Sequence, residues 1–484
     1  MVSVRSCFVL ACQQYIVDPS ASLCNQTVRK SYLTPIAATS AKKMPYIKDT
    51  IAARATATGR AGIGIVRVSG PRVKEISRQI LGEIPEPRLA TYSDFSDGEE
   101  VIDQGIALYF ISPSSFTGED VLELQGHGGP VVLEMLLNRV ISLGARLAKP
   151  GEFSQRAYLN DKLDLAQAEA IADLINSSTE AAARGAVRSL QGEFSARINQ
   201  LVAKIIELRV YVEAAIDFPE EEIDFLSDKR IELQLDEVFQ EMDQVLEETS
   251  HGALLVEGAS VVLMGKPNAG KSSLMNLLTG RDTSIVTDVP GTTRDVVNET
   301  LQLDGIPLRL IDTAGIRDSF DKIEAEGVKR ALAAGEEADL VIAVVDASEV
   351  DVMKQAESLL EDPRTVVVLN KVDLVADTDM LTSGIQMSAK TGLGLQTLKD
   401  KLKERLGLSL IVGSGFTARN RHIIALGYGR DALVAAKSLL IEDRAGELVA
   451  EELRICQQNL SEITGQYTAD DLLGDIFSSF CIGK

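Results

Sequence analysis

The segment from Gly265 to Ser272, Gly-Lys-Pro-Asn-Ala-Gly-Lys-Ser, constrains the fold of this chain more than any other. It follows the apolar run Val261 to Met264 and opens a helical pattern, the setting that a phosphate-binding loop requires. Its glycines let backbone N–H groups turn inward on phosphate oxygens, Lys271 neutralises the β and γ oxygens, and the Ser272 hydroxyl is placed to ligate Mg²⁺. Between Ser260 and Leu410 the apolar runs Val261 to Met264, Leu308 to Ile311, Leu340 to Val345 and Val366 to Leu369 alternate with helical segments. That alternation predicts a doubly wound parallel sheet.

Three further motifs follow in order, each at the carboxyl end of an expected strand. Asp312-Thr313-Ala314-Gly315 offers a carboxylate to Mg²⁺ through water and a glycine N–H to the γ-phosphate. Asn370-Lys371-Val372-Asp373 places a carboxylate that accepts both guanine N1–H and the exocyclic amine, a pair that adenine cannot donate. Ser388-Ala389-Lys390 completes the base pocket. With Asn268, Ala269, Gly270, Lys271, Ser272 and Ser273 on the phosphate side, these residues predict a GTP site.

The hydrolytic group is less obvious. Ile316 follows the Asp312–Gly315 turn where Ras-like enzymes carry a water-orienting glutamine, and an isoleucine cannot orient water. Asn268 with the stretch Thr287, Asp288, Val289, Pro290, Gly291, Thr292 and Thr293 is expected to form a cage of oxygens for a monovalent cation, and Glu324 to polarise the attacking water.

The chain outside this module has its own character. At 484 residues it has room for about three domains. Residues 44–161 mix short β-branched runs with one helical stretch, Val131 to Leu143, and read as a small α+β domain. Residues 162–256 and 413–484 carry apolar residues at helical spacing and are expected to form one bundle into which the α/β module, residues 257–412, is inserted. Residues 1–43 hold five basic side chains and one acid, and read as a disordered or artefactual extension rather than a transit peptide. The formal net charge of -22 opposes nucleic-acid binding by bulk attraction, and no apolar run reaches the roughly 20 residues that span a bilayer. The scattered cysteines fit a reducing interior, and the acidic chain suits a bacterial cytoplasm better than a mitochondrion.

Over residues 49 to 484 the chain resembles the MnmE/TrmE family of tRNA-modification GTPases. The resemblance is carried by Gly59 to Arg67, Thr117 to Gly129, Pro150 to Ala170, the Gly-Thr-Thr-Arg-Asp segment at 291–295, and the terminal Phe480-Cys481-Ile482-Gly483-Lys484. It implies an α+β folate-binding domain, a helical bundle and an inserted Ras-like P-loop domain. It also implies a K⁺-stimulated GTPase that acts on the wobble uridine of certain tRNAs, is a homodimer through its G and N-terminal domains, and forms a heterotetramer with the FAD-dependent MnmG. By the same resemblance, Asn268, Thr287, Val289 and Thr292 hold K⁺, Ser272 and Thr293 hold Mg²⁺, and Glu324 orients water. Arg67, Glu123, Lys162 and Lys484 contact a one-carbon folate such as 5-formyl-tetrahydrofolate.

Other features are read more plainly. Gly62-Ile63-Gly64 lacks the third glycine of a dinucleotide fingerprint and reads as a tight strand entry. Gly126 to Gly129 reads as a tight turn with a partly exposed imidazole rather than an anion site. His251 and His422 read as histidines without partners, Glu220 to Glu222 as a solvated turn, and Cys481 as a terminal thiol that is either passive or reactive near the folate. A ribosome-assembly switch GTPase without substrate chemistry is the alternative function, and the absence of an appended basic RNA-binding module argues against it.

Overall fold

A computed structural model of the chain describes residues 48–217, 229–280, 298–303, 305–312, 338–349, 351–376, 381–407, 415–443, 445–466, 476–477, 480 and 483. Residues 1–43, the 220–222 stretch and the 287–295 segment lie outside these.

The N-terminal part is a six-stranded sheet with two of its three helices on one face and the third packed against Ile51 and Ala53 on the other. Its elements are β1 (Ile51–Arg54), β2 (Ala61–Ser69), α1 (Val73–Leu81), β3 (Thr91–Asp97), β4 (Glu100–Phe110), β5 (Val121–Gly128), α2 (Pro130–Ser142), β6 (Arg146–Leu147) and α3 (Glu152–Leu159). The strand order is β3-β4-β5-β2-β1-β6. Val66, Val68, Ala107, Tyr109, Leu122 and Leu124 alternate onto the inner face and meet Ile76, Ile80, Leu133, Leu136 and Val140 of the two helices. Proline at the first position of α2 presets its backbone and needs no donor there. The expected turn at Gly126 to Gly129 is instead the end of β5: Gly64 pairs with Gly126, and a Cβ on Gly128 would lie 2.6 Å from the Ala61 carbonyl oxygen. Close strand packing, not turn formation, selects glycine here.

Four helices follow: α4 (Leu165–Asn176), α5 (Glu180–Leu190), α6 (Glu193–Asp217) and α7 (Lys229–Glu257). Asp164 and Gln167 close a capping box at the start of α4, and Thr179 caps α5. The second sheet comprises β7 (Ala259–Met264), α8 (Lys271–Leu278), β8 (Asn298–Leu303), β9 (Ile306–Asp312), β10 (Leu340–Asp346), α9 (Val352–Leu359), β11 (Thr365–Asn370), β12 (Ile385–Gln386) and α10 (Leu395–Arg405), in the order β12-β11-β10-β7-β9-β8. β10 and β11 are buried along almost their whole length, as strands covered on both faces must be. The expected doubly wound sheet is present and parallel except at one edge, where β8 pairs antiparallel with β9. Gly305, with φ of +88°, turns the hairpin between them.

Two further helices, α11 (Asn420–Ser438) and α12 (Gly446–Thr464), return to the first four. Ile198, Leu201, Ile205, Val238, Met242 and Val245 share one core with Leu426, Leu433, Leu453, Leu460 and Ile463. The segment leaving the second sheet is gripped at this junction. Buried Ser189 of α5 bonds the Thr417 N–H at 2.9 Å and the Thr417 carbonyl at 2.9 Å. A Cβ on Gly252 of α7 would lie 2.5 Å from the Phe416 carbonyl oxygen.

His422 is not without partners. Its Nδ1 accepts the Arg419 N–H at 3.0 Å, which leaves the proton on Nε2, 3.0 Å from Glu169 Oε2. Arg421 holds both oxygens of the same buried carboxylate at 2.7 and 2.6 Å, and Arg419 holds Asp173 at 2.6 Å. Burial opposes the charge on Glu169, but the His422 and Arg421 contacts outweigh it and hold its carboxyl well below the usual range. The sequence conceals this cluster because its members lie about 250 residues apart.

Candidate functional site

β7 lies between β9 and β10, so the chain runs outward from it in both directions and opens a crevice at its carboxyl end. The phosphate loop fills that position. Gly270 has φ of +100° and caps α8, whose first N–H groups therefore face the crevice. A Cβ on Gly270 would lie 2.1 Å from Asn370 Nδ2, so only glycine fits. Asn268 adopts φ of +63°, a left-handed conformation that asparagine tolerates better than most side chains. Lys271, 8% exposed, turns its ammonium back onto the Gly265 and Lys266 carbonyls at 2.7 and 3.0 Å. Ser272 and Ser273 are exposed beside it.

On the base side, Asn370 is 2% exposed and bridges two loops. Its Nδ2 donates to the Ala269 carbonyl at 2.8 Å and its Oδ1 accepts the Ala389 N–H at 2.9 Å. Ser388 donates to Asp373 Oδ1 at 2.6 Å, which fixes an exposed carboxylate. Lys390 is exposed on the same loop. Phosphate-side and base-side residues are thus joined at the end of one sheet, the arrangement that a nucleoside triphosphate fits. The backbone of Asp312 ends β9 beside β7. Thr287, Asp288, Val289, Pro290, Gly291, Thr292, Thr293, Thr313, Ala314, Gly315 and Glu324 lie outside the described residues.

A second constellation lies on the sheet face of the N-terminal part opposite α1 and α2. Arg67 and Glu123 are register partners on β2 and β5, and Arg67 donates to Glu123 Oε1 at 2.9 Å. The same guanidinium lies 5.7 Å from the ring centres of both Phe116 and Phe153. Lys162 donates to the Pro113 carbonyl at 3.1 Å, on the loop that carries Phe116. A Cβ on Gly483 would lie 2.2 Å from the Arg54 carbonyl oxygen, so Gly483 lies against β1, the neighbour of Arg67's strand. Lys484 and Cys481 lie outside the described residues. Phe116 and Phe153 belong to no recognised motif in the sequence, although Phe153 stands in the Pro150 to Ala170 segment, where an aromatic residue beside a charged cluster is a usable signal.

Among the described residues no group of histidine, cysteine and carboxylate side chains could hold a metal ion, and no helix is long and apolar enough to cross a membrane.

Residues 50–162 match the family described as GTP-binding protein TrmE N-terminus, and residues 165–481 match the MnmE helical domain. The tRNA modification GTPase MnmE of Yersinia pseudotuberculosis serotype IB (strain PB1/+) and that of Yersinia pestis bv. Antiqua (strain Angola) are each 55% identical to this chain over 450 residues, covering 90% of it and 99% of theirs. Among solved structures, the G domain of the T. maritima FeoB iron transporter is 27% identical, covers 30% of this chain and 98% of its own, and has a TM-score of 0.23.

Proposed function

The chain belongs to the MnmE family of tRNA modification GTPases, and from that premise we propose that it hydrolyses GTP to drive C5 modification of the wobble uridine of tRNA in the bacterial cytoplasm. The observation that carries this reading is the Asn370 bridge, which joins a phosphate loop to a guanine-type pocket within a chain 55% identical to MnmE over 90% of its length.

The chain's own groups divide the work. Lys271 and the N–H groups at the start of α8 hold the phosphates, Ser272 and Thr293 hold Mg²⁺, and Asp373 reads the base. Asn268, exposed on its left-handed turn, fits a cation cage with Thr287, Val289 and Thr292. A K⁺ ion held there would supply the positive charge that an arginine finger supplies in other GTPases. Glu324 holds the attacking water and receives its proton. The Arg67, Glu123 and Phe116 face, with Lys162 and Lys484, holds a one-carbon folate such as 5-formyl-tetrahydrofolate. The pteridine offers ring faces to the aromatics and N–H donors to the carboxylate. The grip of Ser189 and Gly252 on residues 416–418 gives the nucleotide module a firm attachment to the helices, and supports the view that GTP turnover is felt outside the module.

The protein works as a homodimer together with the flavin protein MnmG, which compensates for the acidic chain's weak attraction to tRNA. GTP turnover measured in KCl and in NaCl tests the cation cage: a strong fall in NaCl is expected, and equal rates contradict it.

A further inference from the structure

The nucleotide cleft has a third side that its four motifs do not include. β10 ends at Asp346, the register partner of Asn370 on the neighbouring parallel strand. The next residue after Asn370 is Lys371, which adopts φ of +67°, a left-handed conformation that lysine rarely takes. Its ammonium lies 2.6 Å from Asp346 Oδ2, with 30% of the lysine side chain and 16% of the aspartate side chain exposed. The other oxygen, Asp346 Oδ1, accepts the Ser348 N–H at 3.0 Å and the Ser348 hydroxyl at 2.6 Å. Burial opposes the charge on Asp346, but Lys371 and Ser348 outweigh it and lower its pKa. Both oxygens are therefore committed, and the carboxylate is a fixed anchor.

We propose that Asp346 is a positioning residue for the guanine side of the cleft, holding Lys371 extended so that its methylene stem forms a preformed apolar wall for the base. Asn370 ties the phosphate loop to residue 389, so residue 371 stands where these two loops meet. A free lysine there has many rotamers to lose when a purine arrives, and an anchored one has already lost them. A second ion pair from the same loop, Glu349 with Lys266 of the phosphate loop at 2.5 Å, makes a useful contrast. Its partners are 36% and 58% exposed, so solvent screens it.

This inference rests on the reading of the cleft as a GTP site, and the experiment separates the two. Fluorescent GDP is titrated onto the full-length protein, onto Asp346→Asn, Ser348→Ala and Glu349→Ala, and onto Asp346→Asn in a Lys371→Met background. Absence of GDP binding by the unaltered protein would sink the site itself. If the site stands, Asp346→Asn is expected to weaken GDP by about three- to tenfold, and to raise KM for GTP more than it lowers kcat. Ser348→Ala, which keeps the ion pair but loosens its carboxylate, is expected to lose less, and Glu349→Ala to stay within about threefold. In the Lys371→Met background the Asp346 change is expected to add nothing. Undiminished affinity in Asp346→Asn, or the same loss with and without Lys371, would overturn the proposal. Should Asp346→Asn fail to fold, affinity in Ser348→Ala equal to that of the unaltered protein would overturn it.

Discussion

Asn370 donates to the Ala269 carbonyl at 2.8 Å while accepting the Ala389 N–H at 2.9 Å, so one buried amide joins the phosphate loop to the base loop. Asn370→Ala leaves both backbone groups without that partner, at about 1–3 kcal/mol each. GDP binding, followed by fluorescence titration, is expected to weaken by about 10- to 100-fold with the far-UV spectrum unchanged. Unaltered affinity would mean that the two loops are held independently.

Residues of the buried cluster at the start of α11 titrate with opposite signs. Burial keeps His422 neutral, with its pKa below the ordinary 6.5, while the unfolded chain takes up a proton there. Its contribution to stability is therefore lost as pH falls below 6.5. Burial lifts Asp173 to about 6 despite Arg419, against 3.8 when unfolded, so stability is gained as pH falls through that window. In the intact protein the two offset each other. Asp173→Asn removes one of them, and its stability is expected to decline more steeply than the parent's between pH 6 and 4, by up to about 1.4 kcal/mol per pH unit. Parallel curves of melting temperature against pH would contradict this.

Gly252 faces the Phe416 carbonyl so closely that a methyl group forces the exit segment to move. Gly252→Ala is expected to cost about 1–3 kcal/mol of stability in denaturant titration. GDP affinity is expected to change by less than about threefold, because most of the cleft's core comes from the nucleotide module itself, with Ala182 and Leu255 added from the helices. Loss of nucleotide binding would show that the cleft depends on the helices for its shape.

Motifs that act through neighbouring backbone were readable from the sequence, and contacts between distant segments were not. The loop at Gly265 to Ser272 and the Asn370 to Asp373 turn announce themselves because their chemistry is local. β8 was missed because an antiparallel edge strand such as Asn-Glu-Thr-Leu-Gln-Leu lacks the continuous apolar run of a central strand. His422 looks unpartnered in the sequence because its partner Glu169 sits about 250 residues earlier, before the inserted module. Asp346 follows an apolar strand and carries no motif of its own, so only the folded sheet reveals its ion pair with Lys371.

Arg67 is set between Phe116 and Phe153 with Glu123 against it. Arg67→Ala is expected to abolish measurable binding of 5-formyl-tetrahydrofolate in calorimetry while GDP affinity is retained. Folate binding at parental strength would remove this face from the account.

Nucleotide turnover in this chain is proposed to serve tRNA modification. Nucleoside analysis of tRNA from cells lacking the protein, and from the same cells supplied with either the parent chain or Lys271→Ala, tests it directly. The modified wobble uridine is expected to disappear on deletion, to return with the parent chain and to stay absent with Lys271→Ala. Full modification in the deleted cells, or its return with Lys271→Ala, would contradict the claim.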